Sequence, residues 1–255
     1  MSTLKIAWLF PDTLYLHGER GNILALERFA RLGGFEPETA KIDFLTENFH
    51  PMDYDVIFCP PGEIASFPAV VKKLCEVKDE LNDFIKSGRV LFVTGTSVAI
   101  WCKEVRRFDG SSFSGMGFVD AVAEEKETVY GDDNYFTCTY NGQDIDIIGN
   151  QIQMADFVSY EGRETDFFGR LKYGYGNTGK DTNEGFIIKN SVFTNSLGPV
   201  LVTNPKLTIE IIRVCAFNRG IAGLEIEFDS ELEDKSFDTK KEFILTKTTK
   251  LTNCK

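Results

Sequence analysis

The chain opens on an apolar run, residues 4–10, that stops at Pro11-Asp12. A run of that length, with no small-residue cleavage site after it, predicts a buried strand and not a processed leader. Residues 21–32 carry Ile23, Leu24, Leu26, Phe29, Ala30 and Leu32 near helical spacing, and Gly33-Gly34 ends that helix. A partly exposed strand follows at 39–44, then the fully apolar Val56-Ile57-Phe58-Cys59, halted by Pro60-Pro61-Gly62. Residues 65–86 predict one long amphipathic helix ended by Ser87-Gly88. Residues 89–93 predict another buried strand, turning at Thr94-Gly95 into a short helix through about Lys103. Strands alternating with crossover helices imply a mostly parallel sheet with helices on both faces. Ligands in such sheets bind beyond the carboxyl ends of the strands, which points to the loops 11–21, 60–67 and 94–98.

The second half changes period. Short strands are expected at 128–130, 135–140, 145–148, 157–160, 171–173 and 185–193, separated by Gly, Asn and Asp turns. A helix is expected from Pro205 to Phe217, proline being acceptable in a first turn. The expected division is a single domain over 1–218, β-rich in its second half, followed by a charged tail over 219–255.

Composition narrows the function. With 28 Lys+Arg against 39 Asp+Glu the net charge is −11, which argues against a nucleic-acid partner, because phosphate binding needs a basic surface. No apolar stretch approaches the roughly 20 residues of a membrane-spanning helix, so no membrane association is expected. The six cysteines (Cys59, Cys75, Cys102, Cys138, Cys215, Cys254) form no C-x-x-C pair. They suggest neither a disulfide framework nor a zinc site, and a reduced cytoplasmic protein is the default. Only His17 and His50 are available for imidazole chemistry.

Several segments matter together: Tyr15-Leu16-His17-Gly18-Glu19-Arg20-Gly21-Asn22-Ile23, Gly115-Met116-Gly117, Tyr160-Glu161-Gly162-Arg163-Glu164-Thr165, Gly174-Tyr175-Gly176-Asn177 with Glu184-Gly185, and Asn195-Ser196-Leu197-Gly198-Pro199. In order and spacing the chain resembles the class I glutamine amidotransferases of the cobyric acid synthase type. Among these it is most similar to the GatD-type subunits of lipid II isoglutaminyl synthase. The resemblance implies an α/β, flavodoxin-like three-layer domain with extra antiparallel strands, and a helical tail. It also implies a Mur-ligase-like (MurT-type) ATP-dependent partner and no cofactor in this chain. Members hydrolyse glutamine and pass ammonia to a synthetase that has activated a carboxyl group with ATP.

The same resemblance exposes departures. The family's nucleophilic cysteine corresponds to Thr94 and its basic histidine to Leu197. A threonine hydroxyl needs a strong positioned base before it attacks an amide, and leucine accepts no proton. The oxyanion loop corresponds to Pro60, Pro61 and Gly62, with Gly95 after the nucleophile position; proline offers no N–H. The arginine that holds the glutamine carboxylate corresponds to Val129. In a serine hydrolase, loss of nucleophile or base alone costs on the order of 10⁶ in kcat, roughly 8 kcal/mol of barrier. Glutaminase activity is therefore expected to be absent. Cys59 is the alternative thiol, since it ends a strand beside the expected site; Cys102, about two helical turns beyond Thr94, is expected in the core. Glu19, Arg20, Asn22, Tyr175 and Asn177 are the positions that still match, as interface, pocket or fold-stabilising residues.

Three functions remain open at this level: a non-catalytic scaffold subunit in cell-wall amidation; an active amidotransferase component using an unconventional nucleophile or free ammonia; and a sensor with a small-ligand pocket left open by the small Thr94 and Val129.

Overall fold

The computed structural model describes residues 2–160 and 166–253. Its first half alternates as the apolar pattern requires: β1 (Thr3–Leu9), α1 (Arg20–Leu32), β2 (Glu36–Ile42), β3 (Val56–Cys59), α2 (Phe67–Leu74), α3 (Lys78–Lys86), β4 (Val90–Thr94) and α4 (Val98–Trp101). Next come β5 (Cys102–Arg106), β6 (Ser112–Ser114), β7 (Val119–Tyr140), β8 (Gln143–Ser159), β9 (Gly169–Tyr173), β10 (Asn183–Glu184), β11 (Phe186–Ile188), β12 (Ser191–Thr194) and β13 (Ser196–Leu197). The helices α5 (Val200–Thr203), α6 (Pro205–Asn218) and α7 (Glu231–Asn253) close the chain. Among the described residues no helix is long and apolar enough to cross a membrane.

The first sheet runs β11-β12-β4-β3-β1-β2, parallel except for β11. Because side chains alternate across a strand, each strand supplies both faces. Ile57, Cys59, Leu91 and Val93 pack with Phe67, Phe84 and Trp101 on one side. Val56, Phe58, Val90 and Phe92 pack with Leu26, Phe29, Leu207 and Ile211 on the other. The second sheet centres on the long β7–β8 hairpin, flanked by β5 and β9 on β7 and by β13 on β8. β12 and β13 thus lie in different sheets, joined only at Asn195.

Four expectations from the sequence are corrected. The single helix over 65–86 is broken by a 3₁₀ turn at Cys75–Val77, and Asp79 and Glu80 then open α3 as a new, dipole-matched N-terminus. The helix after Thr94 ends at Trp101, because Cys102 turns extended (ψ 168°) and pairs with Val119. Cys102 is buried as expected, but in a strand and not two turns down a helix. The short strands between 128 and 160 fuse into β7 and β8, which turn at Asn141-Gly142, both at positive φ. Gly131 and Gly149 read as turn residues, yet they sit inside these strands. A Cβ at Gly131 would fall 2.3 Å from the Gln151 carbonyl oxygen, and one at Gly149 would fall 2.0 Å from Ser196 Oγ, so both mark close approach of neighbouring chain. Finally, residues 185–193 form a hairpin, reversing at Lys189 (φ 55°) between β11 and β12.

Helix α7 lies on the β7–β8 hairpin. Its buried Ile244 packs with Tyr135 and Ile148. Around that contact Lys240 and Lys247 pair with Asp133 (the latter at 2.6 Å), and Lys241 sits over the Tyr135 ring at 5.4 Å. A small apolar contact inside a ring of screened charges makes a weak dock. Ile244→Ala is expected to cost about 2–4 kcal/mol at this contact. Hydrogen exchange should show amide protection lost across 231–253 and kept in β1, β3 and β4, with the loss deepening at high salt.

Candidate functional site at the strand ends

The carboxyl ends of β1, β3, β4 and β12 bring together the segments around Glu19, Pro60–Gly62, Thr94–Ser97 and 194–198. A nucleophile elbow holds its nucleophile on a sharp, strained turn straight out of a strand. Thr94 is instead the last regular residue of β4 (φ −122°, ψ 145°) and fully buried. The reversal comes one residue later, at Gly95 (φ 60°), a region that a β-branched side chain avoids. The turn is then capped by apolar atoms. A Cβ on Gly95 would lie 2.8 Å from Leu197 Cδ2 and 3.1 Å from Pro61 Cβ.

The Pro60–Gly62 loop presents acceptors to this turn, where an oxyanion needs donors. Ser97 Oγ donates to the Pro60 carbonyl at 2.7 Å and Thr96 Oγ1 to the Gly62 carbonyl at 2.6 Å. The Leu16 N–H donates to the Pro61 carbonyl at 3.1 Å. The space that remains, lined in part by Gly95, Thr96, Gln151, Gln153 and Asn195, measures about 10 Å³. One water fills that volume. The open ligand pocket expected from small side chains at Thr94 and Val129 is therefore absent among the described residues at this place.

Cys59 and Thr94 belong to opposite faces of the first sheet. Cys59 follows Ile57 and Val93 into the layer of Trp101, whereas Thr94 shares the parity of Phe92. Burial pushes the Cys59 thiol up to about 12, against the opposing influence of the nearby Trp101 and Ser97 side chains. Such a thiol is not a nucleophile at neutral pH. Val129 is displaced altogether: it lies in the bulge where β7 loses register with β8, 54% exposed, outside the lining of the strand-end cavity.

The positions expected to match the family are divided. Arg20 is exposed, while Glu19 and Asn22 are buried. Glu19 accepts the Gly198 N–H at 2.8 Å and the Asn22 side-chain amide at 2.5 Å. Asn22 Oδ1 accepts the Leu201 N–H at 2.8 Å. The Thr94 hydroxyl lies beside the same carboxyl, favouring its ionised form, although it makes no hydrogen bond of good geometry. Asn177 ties the Gly185 backbone at both ends of its amide and accepts from the Asn195 side chain at 2.9 Å. Tyr175 is half-buried, edge-on to Tyr130 at 4.9 Å. In the Tyr160–Thr165 motif, residues 161–165 lie outside the described residues.

Sequence reasoning gave no role to Glu184, Gln151 and Gln153. Glu184 is fully buried and accepts the Thr194 hydroxyl and the Asn195 N–H, each at 2.8 Å. Gln151 and Gln153, on one face of β8, bond the Gly176 and Asn177 carbonyls at 2.9 Å each. Their period-two spacing, in alternation with Ile152 and Met154, was the available signal. Desolvation by burial pushes both Glu19 and Glu184 up to about 7, over the opposing effect of the N–H and O–H groups that favour the carboxylates.

The PurLQS structure from Thermotoga maritima superposes with a TM-score of 0.55 at 14% identity, over 86% of this chain and 99% of that one. A glutamine amidotransferase crystal structure gives 0.50 at 15% identity, over 82% and 98%. The fold is glutamine amidotransferase-like. In sequence, this amidotransferase-like chain is 27% identical over 236 residues to the GatD subunit of lipid II isoglutaminyl synthase (glutamine-hydrolyzing) of Staphylococcus aureus strain N315, covering 91% of this chain and 93% of that protein. It is 25% identical over 215 residues to the GatD subunit of Streptococcus pneumoniae strain ATCC BAA-255 / R6, covering 82% and 79%. No protein-family model matches the chain.

Two outcomes follow from this geometry. The double substitution Thr94→Cys, Leu197→His restores a thiol and an imidazole but neither loop N–H donors nor space. Glutamate release from glutamine is expected to stay at background, and turnover by this variant would contradict the closed geometry. Glu19 and Glu184 titrate near 4.5 when unfolded and near 7 when folded, so the folded chain binds more protons between those values. Their contribution to stability is complete below pH 4.5 and is lost as pH rises to about 7, at no more than roughly 1.4 kcal/mol per pH unit and group. Glu19→Gln is expected to remove its share of that slope, read from urea midpoints across pH 4.5–8.

Proposed function

We propose that this chain is a non-glutaminase, amidotransferase-like subunit that serves cell-wall lipid II amidation in the cytoplasm, bound to a Mur-ligase-like, ATP-dependent partner. The observation that carries the reading is Leu197 packed over Gly95: an aliphatic side chain occupies the place where a base would meet a nucleophile. The extended Thr94, the carbonyl-lined Pro60–Gly62 loop and the closed cavity support it. The likeness to GatD subunits along most of both chains supports the setting and the existence of a partner. On this reading the chain shapes or stabilises the synthetase, and ammonia reaches the activated carboxyl from solution.

A second reading rests on one contact. The Glu19 carboxyl beside the Thr94 hydroxyl is a proton acceptor next to a potential nucleophile, which would make the chain an active amidotransferase with an unconventional centre. Against it stand the burial of both groups and the absence of room for a substrate at the turn.

The discriminating experiment is co-expression with the Mur-ligase-like protein of the same organism, followed by amidation of a lipid II carboxylate with ATP. Copurification and product from ammonium but not from glutamine are expected. Product from the amide nitrogen of glutamine that disappears in Thr94→Ala would select the second reading. Failure of the two chains to associate would remove the first.

A further inference from the structure

A second cavity lies beyond the carboxyl ends of β1 and β2, between the 43–50 loop and the helices α2 and α3, and shares no lining residue with the remnant beside Gly95. It measures about 260 Å³. Its floor is apolar: Phe10, Ile42, Phe49 and Leu74 are all buried. Its rim is polar, carrying His50, Glu80, Lys73 and Glu76. An apolar chamber with a few convergent polar groups, at the strand ends of a parallel sheet, is the form that small-molecule sites take.

The chain builds this chamber under backbone constraint. Phe10 and Asn48, both in its wall, stand at φ 45° and 57°. For a bulky residue such as Phe10 that conformation is an outlier which persists only when its surroundings impose it. Here the Phe10 N–H donates to the Ile42 carbonyl at 2.6 Å, while its own carbonyl accepts the Thr13 and Leu14 N–H groups at 2.9 and 2.7 Å. The 43–50 loop is pinned by Asp43, whose carboxylate accepts the Leu45 N–H at 2.8 Å, and Phe44 lies over the Phe10 ring at 4.9 Å.

Charge selects the ligand. Lys73 is committed to Glu76 at 2.7 Å. Glu80 meets the His50 ring at 3.4 Å, and the rim holds two carboxylates, Glu76 and Glu80, against the one lysine. The chain's net charge of −11 adds a field of the same preference. A chamber of about 150 Å³ holds benzene, so this one accommodates roughly ten non-hydrogen atoms. We propose that this cavity binds a small cationic amphiphile, an aromatic or branched apolar body bearing one ammonium group, with the body on Phe10 and Phe49 and the ammonium at Glu80.

The probes are 2-phenylethylamine, its neutral analogue 2-phenylethanol and its anionic analogue phenylacetate, titrated into the full chain and followed by amide chemical shifts. Saturable shifts confined to 42–50 and 73–80 are expected, with the amine binding about fivefold more tightly than the alcohol, as for an exposed ion pair, and the acid weakest. Glu80→Gln, on an exposed side chain, is expected to bring the amine to the affinity of the alcohol and leave the alcohol unchanged. Val77→Phe fills the chamber and is expected to abolish both. Equal affinity for all three probes, undiminished amine binding in Glu80→Gln, or no saturable shift at millimolar probe would overturn the proposal.

Discussion

The whole strand-end region depends on two buried carboxyls, Glu19 and Glu184, that have no cation beside them among the described residues. Glu184 holds Thr194 and Asn195, and Glu19 holds Gly198, so the crossing from β12 to β13 is suspended at both ends. Burying a carboxyl is costly unless hydrogen bonds compensate, and both groups respond by favouring the protonated form. That cost secures the single-residue link by which the chain passes from β12 in the first sheet to β13 in the second. Asn177, Gln151 and Gln153 extend the same bonding to the Gly174–Asn177 loop. A crossing fixed this firmly gives Leu197 no freedom to leave Gly95.

Strand parity decides the rest of the site. Thr94 and Cys59, the two side chains that could carry a nucleophile, end neighbouring strands, yet they emerge into different layers of the three-layer domain. One faces the carboxyl of Glu19, the other a layer of aromatic rings and a raised thiol pKa. No rotamer change unites them, because the sheet lies between. The turn after Thr94 adds a steric limit of its own: its positive φ is at Gly95, and atoms from Leu197 and Pro61 already fill the space above it.

Much of the first sheet was legible because fully apolar runs such as Val56–Cys59 are hard to place elsewhere than in a buried parallel strand. The second sheet was harder for a physical reason. Glycine serves both as turn residue and as strand residue at close contacts, and the pattern alone does not distinguish Gly131 and Gly149 from Gly142. Knowledge of the partner chain decides it: Gln151 and Ser196 crowd the first two, and nothing crowds the third. The same limit hid the helix break at Cys75–Val77, since amphipathic spacing continues across it. At the site, the expectation that Thr94 and Leu197 stand at the nucleophile and base positions came from the resemblance. The carbonyl orientation of the Pro60–Gly62 loop was not legible, because it depends on hydroxyls from Thr96 and Ser97 that lie 34 and 37 positions from their acceptors.

The polar network therefore has a task that does not require catalysis. If Glu19, Asn22, Asn177 and Glu184 served only a reaction, a centre closed by Leu197 would leave them as uncompensated cost. Each instead bonds backbone at the joint between the sheets: Gly198, Leu201, Gly185 and Asn195 in turn. The expected match at Glu19, Asn22 and Asn177 would thus be explained by architecture as fully as by chemistry, and so would be weak evidence for activity. The informative positions are those whose side chains face the space a substrate would need. There, on the proposed reading, an aliphatic group, a proline and an extended threonine act to exclude it.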